Sequence, residues 1–255
     1  MAAVLAVCSA WADKSSEDWL QQTNGLKRTS AAVAEGLPRV LILGDSISLG
    51  YTPFVQKKLA GVANVSRPKC NCGPSQFYLR NNTLARSWLN GGKWDVIHVN
   101  FGIWDNHYIK GPTDGMGLFW GKEIDLKGLG PTAAGHAIRA AGFRIRTPMG
   151  DYAANLRKIL GILKGTGAKV VFGLTTPVPL WDADDRPGRI PVYNELARQI
   201  CAEEGVAVDD LFSVAEANAA NQTDGCHFNE KGYDALADAV VASIRALLPQ
   251  KSKVQ

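Results

Sequence analysis

Residues 38–50 read Pro-Arg-Val-Leu-Ile-Leu-Gly-Asp-Ser-Ile-Ser-Leu-Gly, and the rest of the chain is organised around this stretch. The apolar run at 39–43 lies between a proline and a glycine, which is the pattern of a strand buried on both faces in a parallel sheet. An amphipathic stretch that starts near Leu49 predicts a helix. Ser46 therefore lies on a strand-to-helix turn, where a hydroxyl is exposed and backbone N–H groups are close by, as a nucleophile and its oxyanion require. The alternative is that Ser46 only caps the helix.

Strand-like and helix-like segments alternate from residue 39 onward. Four further strands are predicted by short apolar runs at 61–66, 95–100, 169–174 and 206–208. Helical spacing predicts helices at 50–59, 75–89, 151–163, 190–204 and 230–248. Residues 108–148 are rich in glycine and predict a long irregular insertion. This alternation is typical of an α/β fold with a parallel sheet, helices on both faces, and ligand chemistry at the carboxyl ends of the strands.

The composition sets limits on the class of protein. Of the 255 residues, 46% are hydrophobic and 20% are charged, which suffices for one α/β domain with a sizeable core. The net charge of +4 is small and the basic residues are scattered, which argues against a nucleic-acid partner. No apolar run reaches the length of a membrane span. The sequence carries no signal for an oligomeric state.

The N-terminus has features of an export signal. Residues 1–12 contain an apolar run and end in Ala10-Trp11-Ala12, the small-x-small form of a cleavage site, but they lack a basic start. They are interpreted as the remnant of a signal peptide on a secreted or periplasmic protein, and an ordinary apolar N-terminus is the alternative. Residues 13–36 are polar and predict a surface arm, so that residues 37–249 form a single domain.

Removal of residues 1–12 leaves four of the five cysteines: Cys70, Cys72, Cys201 and Cys226. An even number in an oxidising compartment allows disulfides, whose pairing the spacing leaves open. A zinc site is the alternative, but Cys70-x-Cys72 has no second pair at metal-ligand spacing. The sequence therefore predicts neither a metal site nor another cofactor.

A second candidate motif, Asp224-Gly225-Cys226-His227, precedes the last predicted helix. A carboxylate three residues before a histidine can reach one imidazole nitrogen across a tight turn, and this leaves the other nitrogen free to face a nucleophile. Asp224 and His227 are therefore candidates to act with Ser46. A helix cap beside a surface histidine is the alternative.

Together the two motifs resemble the SGNH hydrolase (GDSL-type esterase) superfamily over about residues 39–248. The stretch from Gly44 to Ser48 is similar to block I of that family, Asn71-Cys72-Gly73-Pro74 to block II, and Asp224-Gly225-Cys226-His227-Phe228 to block V. The resemblance implies a flavodoxin-like three-layer α/β/α sandwich with a five-stranded parallel sheet. It also implies ester hydrolysis by Ser46, with His227 as base, Asp224 as its orienting carboxylate and the N–H groups of Ser46 and Gly73 in the oxyanion hole.

Block III is the one departure from the family, where it is commonly Gly-x-Asn-Asp. Here it reads Gly102-Ile103-Trp104-Asp105, so Trp104 stands in place of an oxyanion donor. Asn100 is expected to join the oxyanion hole as a substitute donor or to hold the Ser46 turn. Trp104 is expected to wall the acyl pocket, which would favour acetyl over longer chains, and Asn106 to bind substrate.

The favoured function is a secreted acetylesterase that acts on a carbohydrate or another small ester, as many secreted members of the resembled family do. A lipase or thioesterase of the same fold is one alternative, and a carbohydrate-binding protein without catalysis is the other. Trp104, Trp120 and Trp181 follow strands or lie in loops, where aromatic faces stack on sugar rings. Of the other histidines, His98 is expected to be a hydrogen-bonded core residue, and His107 to line the site or to be exposed.

Overall fold

The computed structural model describes residues 29–30, 34–68, 70–80, 88–89, 92–111, 123–178 and 189–249. Its strands are β1 (Thr29–Ser30), β2 (Arg39–Leu43), β3 (Asn64–Arg67), β4 (Val96–Val99), β5 (Tyr108–Ile109), β6 (Arg144–Ile145), β7 (Lys169–Gly173) and β8 (Ala207–Asp209). The helices are α1 (Ser46–Lys58), α2 (Ser75–Arg80), α3 (Pro131–Ala140), α4 (Met149–Lys164), α5 (Arg189–Glu204), α6 (Leu211–Ala217) and α7 (Glu230–Leu247). Within these segments, no helix is long and apolar enough to cross a membrane.

The central sheet has the strand order β1-β3-β2-β4-β7-β8. Its last five strands in that order are parallel, and β1 is antiparallel to β3 at the edge. Numbered among themselves, the parallel strands follow the order 2-1-3-4-5 of flavodoxin-like folds. The predicted five-stranded parallel sheet in a three-layer α/β/α fold is confirmed. In this order the connections after β2 and β4 leave to opposite sides, which opens a crevice at the carboxyl ends of those two strands.

Strand β2 shows how the sequence builds the two outer layers. Val40 and Ile42 belong to the hydrophobic cluster that includes α1 and α7, whereas Leu41 and Leu43 belong to the cluster that includes α4 and α5. Successive strand side chains point to opposite faces, so an unbroken apolar run is what a sheet covered on both sides requires. The first strand predicted from the sequence, residues 39–43, is therefore reproduced without change.

Other boundaries differ from the prediction. Helix α1 begins at Ser46 rather than near Leu49, because the preceding aspartate caps it. Residues 108–148, predicted to be irregular, contain the antiparallel pair β5 and β6 and the helix α3, which pack around Tyr108, Ile138 and Phe143. The sequence pattern predicts no helix at α6, which the structure contains. Residues 1–12, most of the polar arm, Trp120 and Trp181 lie outside the described residues.

Candidate active site

Ser46 is the first residue of α1, and two residues, Gly44 and Asp45, separate it from the end of β2. The Asp45 carboxylate caps the helix by accepting a hydrogen bond from the Ile47 N–H at 3.0 Å. Glycine is required at Gly44, because a Cβ there would lie 2.9 Å from the Ser48 Oγ. The Ser46 side chain is half-buried. Its backbone N–H belongs to the first helical turn, whose donors have no partner inside the helix and favour a negative charge.

His227 and Asp224 lie in the loop before α7, and local hydrogen bonds fix this loop. The Thr223 N–H donates to the His227 carbonyl at 2.8 Å, which closes a tight turn with Gly225 at a φ of 79°. The Asp224 Oδ1 accepts the backbone N–H groups of Cys226 at 3.1 Å and of His227 at 2.7 Å. Both oxygens of the carboxylate therefore have fixed positions, with Oδ2 left for the imidazole.

The three side chains form a continuous hydrogen-bonded chain. The Asp224 Oδ2 lies 2.8 Å from the His227 Nδ1, and the His227 Nε2 lies 2.8 Å from the Ser46 Oγ. Partial burial alone would raise the pKa of Asp224, but hydrogen bonds from the backbone and ring of His227 bring this pKa below its usual value. The ionised carboxylate fixes the Nδ1–H tautomer, so Nε2 is the nitrogen that can accept the hydroxyl proton.

Packing of α7 against α1 brings the two motifs together. A Cβ at Gly50 would lie 2.1 Å from the Tyr233 ring, so only glycine lets that ring lie against α1. Tyr233 in turn packs edge-on against Phe228, with ring centroids 5.9 Å apart. Asn229 caps α7 by accepting the Gly232 N–H at 3.1 Å. These contacts hold the loop that carries His227 beside Ser46.

The predicted oxyanion donor Gly73 lies in the loop between β3 and α2, with a φ of 65°. This loop lies against the Ser46 turn, because the Cys72 N–H donates to the Gly44 carbonyl at 3.1 Å. The Gly73 N–H itself donates to the Asn71 Oδ1 at 2.9 Å. The loop is therefore in place, but its donor is satisfied by a side chain of the same loop.

Asn100 lies directly after β4 and is buried. Its Nδ2 donates to the Gly173 carbonyl at 2.7 Å, and its backbone N–H donates to the Leu43 carbonyl at 2.9 Å. The side chain thus ties β4 to β7, and the backbone ties β4 to the residue before Gly44. These hydrogen bonds support the sheet edge next to the Ser46 turn. None of the described hydrogen bonds of Asn100 joins its side-chain amide to that turn.

Trp104 is half-buried and stacks on His107, with ring centroids 5.0 Å apart and planes at 30°. The guanidinium of Arg146 lies 5.9 Å from the centre of the Trp104 ring. His107 is buried rather than exposed, and burial, together with the charges of Arg146 and Arg189, brings its pKa well below the usual value. The imidazole is therefore neutral, and the stack leaves only the Trp104 indole partly exposed in the turn after β4.

Asp105 and Asn106 are fully buried in the same turn. The Asn106 amide donates to the Gly102 carbonyl at 3.0 Å, and this burial argues against the predicted contact with substrate. Asp105 accepts hydrogen bonds from the Ser75 hydroxyl at 2.6 Å and from the Ser75 N–H at 3.1 Å. Burial raises the pKa of Asp105 to about 6, against the opposite effect of the hydrogen bonds from Ser75. Asp105 therefore anchors the start of α2 just after Gly73. Its place as the last residue of block III is the sequence feature that could have indicated a role near the site.

The other histidines and the described cysteines take no part in this chain of hydrogen-bonded side chains. As predicted, His98 is a buried core residue, and its Nε2 lies 2.9 Å from the Asp209 Oδ2. His136 is exposed on α3. The cysteines described, at positions 70, 72, 201 and 226, are free thiols. In the described segments, no group of three or more His, Cys, Asp or Glu side chains is suited to a metal ion.

A hydrogen-bonded Ser–His–Asp chain at the carboxyl ends of the strands of a doubly wound α/β/α fold is an arrangement typical of one class of serine hydrolases. The model of the GDSL-like lipase/acylhydrolase family matches residues 42–235. The chain therefore belongs to this family of the SGNH hydrolase superfamily, and it is a serine hydrolase of the esterase type. No curated protein sequence gives a significant match.

Solved structures of similar fold include esterases. The acetyl xylan esterase AlAXEase superposes with a TM-score of 0.57 at 16% identity and covers 81% of this chain and 99% of its own. The acetylxylan esterase Axe2 from Geobacillus stearothermophilus has a TM-score of 0.57 at 17% identity, covering 84% and 96%. LAE5, an alpha/beta hydrolase from the metagenome of Lake Arreo, has a TM-score of 0.58 at 16% identity, covering 85% and 98%. At these identities the similarity shows the fold.

Proposed function

We propose that this esterase uses Ser46 as nucleophile, His227 as general base and acid, and Asp224 as the orienting carboxylate. The observation that carries the proposal is the unbroken chain of two 2.8 Å hydrogen bonds from Asp224 through His227 to Ser46. Distances of this length place the hydroxyl proton within direct reach of the Nε2 lone pair.

The proposed reaction follows from this geometry. The Ser46 Oγ attacks the ester carbonyl while its proton moves to the His227 Nε2. The protonated imidazole, stabilised by Asp224, then gives this proton to the leaving alcohol as the tetrahedral intermediate collapses. Water attacks the acyl-enzyme with the same histidine as base, and release of the acid restores Ser46.

We assign the oxyanion to backbone donors. The Ser46 N–H at the start of α1 is the first donor, since a helix N-terminus favours negative charge. The Gly73 N–H becomes the second when the oxyanion replaces the Asn71 Oδ1 as its acceptor. Loss of one donor of this kind typically lowers kcat by roughly 10²–10³.

The proposed substrates are acetyl esters, carried by a carbohydrate. Trp104 and Cys226 both pack against the core cluster that includes Ile47. Ile47 and Cys226 are the chain neighbours of Ser46 and His227. A rigid indole in this position suits a short acyl group and also offers a face for a sugar ring. Two of the three structures compared above are acetyl xylan esterases by name. A lipase or thioesterase with a long acyl groove is the second candidate.

Two measurements test these assignments. A fluorophosphonate should label the wild type and Ser213→Ala, an exposed serine on α6, but not Ser46→Ala. Absence of label on folded wild-type protein would favour a binding protein without catalysis. Acetate release from acetylated xylan, set beside a series of aryl esters from acetyl to octanoyl, separates the candidates. Rates that rise with acyl length would exclude the acetylesterase.

We further propose that residues 1–12 are removed when the protein is exported, on the motif Ala10-Trp11-Ala12 after an apolar run. The expected product of the native host begins at Asp13. Intact-mass measurement of secreted protein tests this, and an unprocessed intracellular chain would contradict it.

A further inference from the structure

The arginine at the end of β3, Arg67, is buried beneath the Ser46 turn with 3% of its surface exposed. Its Nη1 donates to the Ser48 Oγ at 2.8 Å, and its Nη2 donates to the Cys70 carbonyl at 2.9 Å and to the Gly44 carbonyl at 3.4 Å. Its Nε donates to the Pro68 carbonyl at 2.8 Å. A buried guanidinium is costly unless its donors are used, and here they are distributed over separate segments of chain.

These acceptors belong to the two segments that the proposed reaction requires. Gly44 and Ser48 flank the nucleophile. The Ser48 hydroxyl, which accepts a hydrogen bond from Arg67, donates its own proton to the Asp45 carbonyl at 2.7 Å. Cys70 begins the loop that leads to Gly73. The guanidinium therefore bridges the nucleophile turn and the oxyanion loop, in parallel with the backbone bond between Cys72 and Gly44.

The charge of Arg67 also has a counterpart in this turn. Asp45 is buried, and its Oδ2 has no hydrogen-bond partner among the described residues. Opposite charges in a shared low-dielectric region attract more strongly than they do in water. Burial is the main influence on Asp45 and raises its pKa, and the charge of Arg67 is one of the smaller influences that oppose this rise.

We propose that Arg67 is a positioning residue that sets the separation between Ser46 and the Gly73 N–H. This inference rests on the proposed function and concerns the same site. A lysine can supply the charge but not the planar fork that reaches Ser48 and Cys70 together. Misplacement of catalytic groups by about 1 Å costs on the order of 10²-fold in rate, so loosening this bridge should lower kcat more than substrate binding.

The test compares Arg67→Lys, Arg67→Ala and Ser48→Ala with a matched destabilised control. Leu163→Ala, in a fully buried position at the end of α4, lowers stability from a helix that carries none of the proposed catalytic or oxyanion residues. Each variant is measured for Tm, for kcat and KM with an aryl acetate, and for the rate of fluorophosphonate labelling. Added guanidinium at millimolar concentration is tested for rescue of Arg67→Ala, with urea as the matched solute.

The expected result is a kcat about 10- to 100-fold lower in folded Arg67→Lys, with KM within about threefold of wild type and labelling slowed in parallel. Ser48→Ala should lose less, and Leu163→Ala should keep kcat despite its lower Tm. Guanidinium, but not urea, should restore part of the rate of Arg67→Ala. If that variant does not fold, Arg67→Lys decides.

Wild-type kcat in folded Arg67→Lys would overturn the inference, as would a loss of kcat in Leu163→Ala equal to that in the Arg67 variants at similar Tm. Failure of the proposed function would give a different result. The wild type itself would then show no fluorophosphonate labelling at Ser46, irrespective of the results for the Arg67 variants.

Discussion

Asparagine has nearly the same size as aspartate, but replacement of Asp224 by asparagine should lower the esterase activity strongly. The Asp224 Oδ1 accepts two backbone N–H groups, at 3.1 and 2.7 Å, so an asparagine must place its carbonyl oxygen there. Its NH₂ group then faces the His227 Nδ1, which lies 2.8 Å from the present Oδ2. The imidazole responds by carrying its proton on Nε2, where it donates to Ser46 and accepts nothing. Asp224→Asn therefore selects the wrong tautomer.

The magnitude follows from the same contacts. Turning the amide around breaks two hydrogen bonds to backbone donors, which costs about 2–3 kcal/mol. At 1.4 kcal/mol per factor of ten, this lowers the population of the active tautomer by roughly 30- to 150-fold. The lost attraction between carboxylate and imidazolium adds about 1–3 kcal/mol at a half-exposed site. We expect kcat/KM to fall by roughly 10²- to 10⁴-fold.

The assay is kcat/KM with an aryl acetate at mildly alkaline pH, alongside Asp224→Ala and His227→Ala. His227→Ala should be as damaging as loss of Ser46, because base and nucleophile act in the same step. Asp224→Ala leaves the tautomer free and should retain more activity than Asp224→Asn. If Asp224→Asn keeps more than about a tenth of wild-type activity, or exceeds Asp224→Ala, the tautomer argument is refuted.

Three further outcomes are expected. Trp104→Ala should lower the ratio of acetyl to butyryl kcat/KM by about tenfold, since two methylenes then fit; an unchanged ratio would exclude Trp104 as the wall of the acyl pocket. Asn100→Ala should cost about 1–2 kcal/mol of unfolding free energy, because the Gly173 carbonyl loses its partner, and should keep kcat within about tenfold; a loss near 10³ would instead make Asn100 an oxyanion donor. The pKa of Asp105, raised to about 6, lies above its unfolded value, so its stabilising contribution is full below about pH 4 and is lost as the pH rises through 6. Asp105→Asn should therefore gain stability relative to wild type between about pH 4 and pH 7 in urea unfolding, and a constant difference would contradict this.

Strands β2, β4 and β7 were predictable because their residues are mainly apolar, as burial on both faces of the sheet requires. Ser46, Asp224 and His227 could be chosen as candidates because each motif lies within four or five consecutive residues, so the long separation between the two motifs does not weaken either signal. The start of α1 was predicted three residues too late because the amphipathic spacing begins only near Leu49. The hydrogen bond from the Ile47 N–H to Asp45 shows that the first turn begins at Ser46.

Other features were not predictable from local patterns. The β5 and β6 strands have two residues each, which is too short for any periodicity to appear. The position of Asn106 after block III predicts a contact with substrate. Its burial depends instead on how the turn folds back on Gly102. Arg67 is the last residue of β3, where a charged residue usually marks the return to solvent. Its buried position depends on contacts with other segments, which include Ser48 and Cys70.

The distance in sequence between the bonded partners Ser46 and His227, 181 residues, has a consequence for synthesis of the protein. In the proposed mechanism, a nascent chain carries the nucleophile Ser46 long before its general base His227 has been translated. Hydrolysis of esters would then begin only after α7 has docked on α1 and His227 lies beside Ser46. The onset of ester hydrolysis during refolding or translation therefore reports completion of the fold. Any ester hydrolysed before that point would have to be hydrolysed without His227 as the base.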